Sequence, residues 1–315
     1  MSLAILCSGQ GWQGARMFAL TGGAPEAAGL FAHAATLLDG RDPRDCVASQ
    51  TAEALHHNRI GQILCTLQAV AAASALQEAM PAQVVVAGYS IGELAAWGVA
   101  GALSMTDTLD LTAQRAEAMD AAAAPDEGLM FVRGLPRDVI DRLCLSHDAA
   151  IAIVEPGDAY VLGASRAALR ALAAEAKTIG NFRIVELPVE VASHTGRLAR
   201  ASAAFRFSLD QIRVVHPLTP RRRILSGIDG SPVLDAQTGL AKLAAQISQT
   251  VQWSACLQGC MESGATAFLE LGPGSALSKM AASAYPDVSS RSLDDFMTIE
   301  GVRSWLVQNG RDRRR

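Results

Sequence analysis

Short apolar runs bounded by glycine alternate along this chain with long stretches of helical periodicity. Ala4 to Ser8 is a mostly apolar run leading into Gly9-Gln10-Gly11-Trp12-Gln13-Gly14, which predicts a buried strand and then a tight turn. Helical patterning fills much of the stretch to Met80, with one long apolar helix predicted over 60–80 and stopped by Pro81. Gln83 to Ala87 is a short β-branched run bounded by Gly88, suited to a strand buried on both faces of a parallel sheet. Helices are predicted over 91–99 and 105–122. Strand, sharp turn and helix in that order predict an α/β fold.

The texture changes near Ala123-Ala124-Pro125-Asp126-Glu127-Gly128. Beyond it the pattern predicts a strand over 129–133, a helix over 137–145 and a strand over 150–154. A turn at Pro156-Gly157-Asp158 leads to a strand over 160–163, a helix over 166–179 and a strand over 182–187. The order β-α-β-β-α-β predicts a ferredoxin-like small domain over residues 127–190, inserted into a larger α/β domain made of 1–126 and 191–315. Helical patterning returns over 194–207 and 275–284, and a strand over 265–271 ends in Gly272-Pro273-Gly274. No repeat of 20–50 residues is visible.

Composition narrows the picture. The chain has 315 residues, half of them hydrophobic, enough for one large core or a large core with a satellite. A charged fraction of 18% and a net charge of -4 argue against disorder and against bulk nucleic-acid binding. Abundant alanine and few aromatics favour helical layers over an all-β fold. No apolar run approaches the roughly 20 residues of a membrane span. The start lacks a basic n-region and reaches Gly9 too soon for a secretory leader, so a cytoplasmic protein is expected. Six cysteines without a C-x-x-C pair read as small buried hydrophobes, not as a metal or disulfide framework. The tail Arg311-Asp312-Arg313-Arg314-Arg315 reads as a frayed end.

The sharpest chemical feature is Gly88-Tyr89-Ser90-Ile91-Gly92, a G-x-S-x-G sequence between a predicted buried strand and a helix. Two glycines allow a tight turn that pushes the Ser90 hydroxyl outward. The helix N-terminus beneath favours developing negative charge, and the Ile91 N–H is placed to serve as one oxyanion donor. A serine nucleophile needs a base. Of His33, His56, His57, His147, His194 and His216, His194 stands out, because it lies where the chain re-enters the large domain.

Taken in order, Gly9-Gln10-Gly11-x-Gln13, Gly88-x-Ser90-x-Gly92-Glu93, Gln114-Arg115, Ser193-His194-Thr195, Val251-Gln252-Trp253 and Gly272-Pro273-Gly274 resemble the malonyl-CoA:acyl carrier protein transacylase family, over about residues 4–280. Within it, Leu6 to Gly11 and Gly88 to Gly98 look closest to the epsilon (transacylase) subunit of bacterial malonate decarboxylase. The resemblance implies an α/β-hydrolase-like large domain with the ferredoxin-like insert and a catalytic cleft between them. It implies Ser90 as nucleophile, His194 as general acid/base, and the Gln252 carbonyl as the group that orients the imidazole. The N–H groups of Gln10 and Ile91 would form the oxyanion hole, and Arg115 would bind the malonyl carboxylate. A guanidinium suits that task, since it grips a carboxylate bidentately.

On this reading malonyl-CoA is the donor, and a phosphopantetheine-type thiol on an acyl carrier protein is the acceptor. No cofactor or metal of the protein's own is expected, and neither nucleic acid nor membrane is a partner. The malonate decarboxylase reading adds that complex's other subunits as partners. Three departures stand out: Tyr89 where the family usually has His, Ser193 where malonyl-specific members often have Phe, and Val154-Glu155-Pro156-Gly157-Asp158 in place of an Asn- and Gln-containing motif. Tyr89 and Ser193 would shape the substrate pocket. From His194 to Arg223 seven arginines stand against the single acid Asp210. Arg197, Arg200, Arg221, Arg222 and Arg223 are therefore candidates for docking an acidic carrier, against a plainly solvated face. The rivals are the same transfer in fatty acid or polyketide synthesis, a serine esterase or thioesterase, and a non-catalytic carrier-binding module. Ordinary hydrolases of this class place the histidine near the C-terminus, and no histidine follows His216.

Overall fold

A computed structural model describes residues 2–180, 182–215, 218 and 221–311. His216 and the tail from Asp312 onward lie outside the described residues. The strands are β1 (Ser2–Cys7), β2 (Val84–Gly88), β3 (Glu127–Arg133), β4 (Ala150–Glu155), β5 (Ala159–Ser165), β6 (Arg183–Glu186), β7 (Arg222–Ile224), β8 (Val251–Gln252), β9 (Ala265–Glu270) and β10 (Ser289–Ser292). They form two five-stranded sheets with helices around them, an α/β fold.

The first sheet runs β10-β9-β1-β2-β7 with every neighbouring pair parallel. Its centre is covered on both faces, which explains why β1 and β2 read as continuous apolar runs. Leu3, Ile5 and Cys7 join a core with Trp97 and Phe205. Ala4 and Leu6, on the opposite face, join one with Trp253 and Phe268. The helix Asn58–Leu76 packs beside this sheet and is buried along almost its whole length. With its extension to Ala79 it is long and apolar enough to cross a membrane, contrary to the sequence-based expectation, but 83% of that window is buried inside the protein. It serves here as a core helix.

The second sheet runs β6-β3-β5-β4-β8. Its first four strands are antiparallel neighbours. Helices Arg137–Ser146 and Arg166–Ile179 cover one face through Met130, Val132, Leu162 and Ile184. The other face, through Leu129, Ile153 and Val161, packs into the cluster that holds Val85, Ala87 and Trp253 of the first sheet's side. The short β8, from a part of the chain predicted to belong wholly to the large domain, pairs parallel with β4 and ties the two sheets together. All six cysteines are free and buried.

Candidate active site

β2 ends at Gly88 and the helix Ile91–Val99 begins three residues later. A Cβ on Gly88 would sit 2.0 Å from the Gly92 carbonyl, and one on Gly92 would sit 2.0 Å from the Cys7 carbonyl oxygen. Strand, turn and helix thus touch backbone to backbone, which only glycine permits. Between them Ser90 takes φ 56° and ψ -122°, a strained conformation for a residue with a side chain. The strain turns its hydroxyl toward His194.

His194 is buried, with φ 62°. Its Nε2 lies 2.7 Å from Ser90 Oγ and its Nδ1 lies 2.6 Å from the main-chain oxygen of Gln246. A carbonyl only accepts, so Nδ1 carries the proton and Nε2 presents a lone pair to the serine hydroxyl. The His194 N–H donates to the Ile247 carbonyl at 2.8 Å, and two consecutive carbonyls thereby fix the ring and its backbone. Burial, and then the charge of Arg115, push the imidazole down to about 3, so it is neutral at neutral pH.

The orienting carbonyl is therefore that of Gln246 and not of Gln252. Gln252 stands on β8, its N–H bonded to the Gly227 carbonyl at 2.7 Å, and its backbone is committed to the second sheet. Gln246 was not foreseen. Its side-chain amide donates to the Ser90 carbonyl (2.9 Å) and to Glu93 Oε2 (2.7 Å), while its Oε1 accepts from Arg115 at 3.3 Å. One buried residue joins Ser90, His194 and Arg115.

Arg115 lies in the helix Met105–Ala122 and is 1% exposed. Its guanidinium donates to Gln62 Oε1 (2.6 Å), to Met119 Sδ (3.2 Å) and to Gln246. No carboxylate stands within ion-pair distance of it among the described residues. Burial lowers the guanidinium to about 10, partly offset by the field of Glu93. Glu93 is itself raised to about 7, chiefly by burial, so it offsets little charge below neutrality. A buried cation without an anion is expensive, and an anion placed beside it would lower that cost.

Tyr89 closes the other side of the turn. Its ring packs edge-on to Trp253, and its hydroxyl donates to Glu155 Oε1 at 2.7 Å. Glu155 belongs to β4, so this bond joins the Ser90 turn to the second sheet. The other Glu155 oxygen is buried with no partner among the described residues. Gln10 lies in the loop after β1, its side chain beside Gly61. The Gly11 N–H donates to Gln13 Oε1 at 2.5 Å and holds that loop's shape. Ser193 is buried next to His194.

The predicted docking arginines do not form one face. Arg197 is tied to Glu127 (3.2 Å) and Asp148 (2.6 Å), bracing β3. Arg200 is exposed on the helix Ala199–Asp210. Arg221, Arg222 and Arg223 lie at the start of β7, in register with Val84 and Val85, at the end of β2 opposite Ser90. No group of three or more His, Cys, Asp or Glu among the described residues is placed to hold a metal ion.

A family profile described as "Acyl transferase domain" matches residues 5–297. The chain is 27% identical over 229 residues to the malonyl CoA-acyl carrier protein transacylase of Haemophilus influenzae, covering 71% of this chain and 72% of that one. It is 31% identical over 218 residues to the Mycobacterium bovis enzyme of the same name, covering 67% and 68%. The crystal structure of the acyl-carrier-protein S-malonyltransferase of Burkholderia pseudomallei superposes with a TM-score of 0.87 at 26% identity, over 96% of this chain and all of that one. A serine on a glycine turn, its histidine, a buried guanidinium and this breadth of likeness agree: the chain belongs to the malonyl-CoA:acyl carrier protein transacylase family.

Proposed function

We propose that the protein moves a malonyl group from coenzyme A to the thiol of a carrier-borne arm by way of acyl-Ser90. The observation that carries this reading is Arg115, a buried guanidinium with no ion-paired carboxylate among the described residues, which Gln246 links to the Ser90–His194 pair. A malonyl thioester supplies the missing carboxylate at one end and the electrophilic carbonyl at the other.

In the first half-reaction Ser90 Oγ attacks the thioester carbon while His194 Nε2 takes the hydroxyl proton. The N–H groups of Ile91 and Gln10 hold the oxyanion. Collapse breaks the C–S bond, and the imidazolium returns its proton to the departing coenzyme A sulfur. In the second half-reaction a carrier thiol gives its proton to Nε2 and attacks the acyl-serine. The C–O bond breaks and the proton returns to Ser90. Gln246 holds the ring so that Nε2 faces both sulfurs in turn. We read residues 1–126 and 191–315 as an α/β-hydrolase-like catalytic domain and 127–190 as a ferredoxin-like insert, with the arm lying between them.

The names of the relatives favour a general malonyl transacylase, as in fatty acid or polyketide synthesis, over a subunit of malonate decarboxylase. The second reading rests on the stretches Leu6 to Gly11 and Gly88 to Gly98. The choice of carrier distinguishes the two.

The test compares kcat/KM for malonyl-CoA and acetyl-CoA, with intact mass to locate the adduct. Wild type should carry malonate on Ser90 and prefer malonyl-CoA. Arg115→Ala should lower malonyl transfer by roughly 100-fold or more, the scale of a lost buried charge pair, while sparing acetyl transfer. An unchanged ratio, or an adduct elsewhere than Ser90, would refute the assignment.

A further inference from the structure

Glu93 is a carboxyl that the acyl-transfer steps above leave without a task. It lies in the first turn of the helix Ile91–Val99, three residues after Ser90, and is fully buried. Its two oxygens have unlike surroundings. Oε2 accepts from Gln246 Nε2 at 2.7 Å, and the Gly227 main chain lies so close that a Cβ there would sit 2.6 Å from it. Oε1 is buried with no hydrogen-bond partner among the described residues. The carboxyl is therefore held on one oxygen and bare on the other, and the bare oxygen is where a proton can settle.

Gln246 couples this carboxyl to Arg115. The Ser90 carbonyl can only accept, so the Gln246 amide nitrogen faces it together with Glu93 Oε2, and Gln246 Oε1 is left to face Arg115. Carboxyl and guanidinium thus stand at the two ends of one side-chain amide, unpaired yet near enough for each to feel the other's charge. The other ionisable groups that face Glu93 are Asp229 and the Cys256 thiol. Asp229 is ion-paired with Lys242 at 2.6 Å, and burial keeps the thiol protonated. His194 meets Gln246 through its main-chain carbonyl and not its amide.

Two carboxylates around one guanidinium in a site removed from water repel each other, and the one held less firmly takes a proton. We propose that Glu93 is the internal counter-charge of Arg115, and that its Oε1 takes up one proton from solvent as the substrate carboxylate reaches the guanidinium. The inference rests on the malonyl reading above. One negative charge faces Arg115 at each stage: that of Glu93 first, then that of the malonyl group. An acetyl group brings no carboxylate and calls up no proton. Burial already raises Glu93 to about 7, which puts the exchange near neutrality. With malonyl bound, the proton is held more tightly. Affinity for malonyl-CoA is therefore full below the Glu93 value and is lost as pH rises through it.

The experiment uses the full chain carrying Ser90→Ala, which keeps the main-chain carbonyl at that position and cannot be acylated. Calorimetric titrations with malonyl-CoA and with acetyl-CoA, each in two buffers of unlike ionisation enthalpy, give the protons taken up per molecule bound. Both ligands carry the same phosphates, so the difference between them isolates the acyl end. At pH 7.5 malonyl-CoA should take up on the order of half a proton or more beyond acetyl-CoA. Between pH 7 and 9 its Kd should rise by up to about tenfold per pH unit, with no matching rise for acetyl-CoA. Adding Glu93→Gln should remove both the extra uptake and the extra slope. Should that variant fail to fold, the comparison of the two ligands in the Ser90→Ala chain decides by itself. Equal uptake with the two ligands, or an extra uptake that survives Glu93→Gln, overturns the proton exchange. At pH 6 Glu93 holds its proton throughout, so a preference for malonyl-CoA there belongs to Arg115. Absence of that preference sinks the malonyl reading, whereas a preference at pH 6 without extra uptake at pH 7.5 sinks the role of Glu93 alone.

Discussion

At the scale of single residues, the site divides into groups that act through side chains and groups that act through the main chain. Ser90 was legible from its glycine turn, whereas His194 and Arg115 were singled out from six histidines and many arginines by the family resemblance. The carbonyl that holds His194 Nδ1 was not legible, since every residue has one, and it proved to belong to Gln246 and not Gln252. The Glu155 partner of Tyr89 left a clearer trace, as an unusual acid beside a Pro-Gly turn. The state of His194 has a kinetic consequence. Burial and the neighbouring Arg115 hold its pKa near about 3, so the free enzyme keeps a neutral base well below the ordinary histidine range. Single-turnover acylation should show kcat/KM flat from pH 8 to about 5, with its acid limb lower still. A limb at about 6.5, the solvated histidine value, would show that water reaches the ring.

Among the elements, helices over 91–99, 105–122 and 166–179 match their predicted spans, because each carries a full amphipathic or apolar period between clear stops. β7, β8 and β10 were missed. They have three, two and four residues, and their sequences, Arg-Arg-Ile, Val-Gln and Ser-Ser-Arg-Ser, carry too few apolar positions to show a period of two. They become strands because β2, β4 and β9 offer open edges. The Gly88–Gly92 turn, by contrast, depends on its sequence. Gly92→Ala would drive a methyl into the Cys7 carbonyl, and backbone on both sides leaves nothing soft to yield. We expect a loss of stability of at least about 2–3 kcal/mol, read as a lower urea midpoint at unchanged m-value. A variant within about 0.5 kcal/mol of wild type would mean that the turn can open.

For the whole molecule, two buried carboxyls away from any ion pair set how stability varies with pH. Glu270, at the end of β9, accepts hydrogen bonds from Ser8 Oγ (2.8 Å) and the Ser278 N–H (2.8 Å), yet burial still raises it to about 7. Glu93 is raised to about 7 as well. A carboxyl whose folded pKa lies above its unfolded value of about 4.3 holds its proton more tightly when folded. Its contribution is therefore present at low pH and is lost as pH rises through the folded value. Thermal denaturation midpoints should fall between pH 5 and 8, and Glu270→Gln should flatten that fall by on the order of 1–3 kcal/mol. An identical slope in the variant would show that the carboxyl ionises without cost. The same burial governs the six thiols. Each cysteine is sealed in the core, and burial raises Cys7, Cys65, Cys256 and Cys260 well above the pH at which a thiolate forms. A colorimetric thiol reagent mixed with the folded enzyme and malonyl-CoA, with no acceptor thiol present, therefore reads the coenzyme released on acylation, against a silent protein background. When the colour exceeds one coenzyme per chain, it counts unfolded chains, so one cuvette follows both acylation and the survival of the fold.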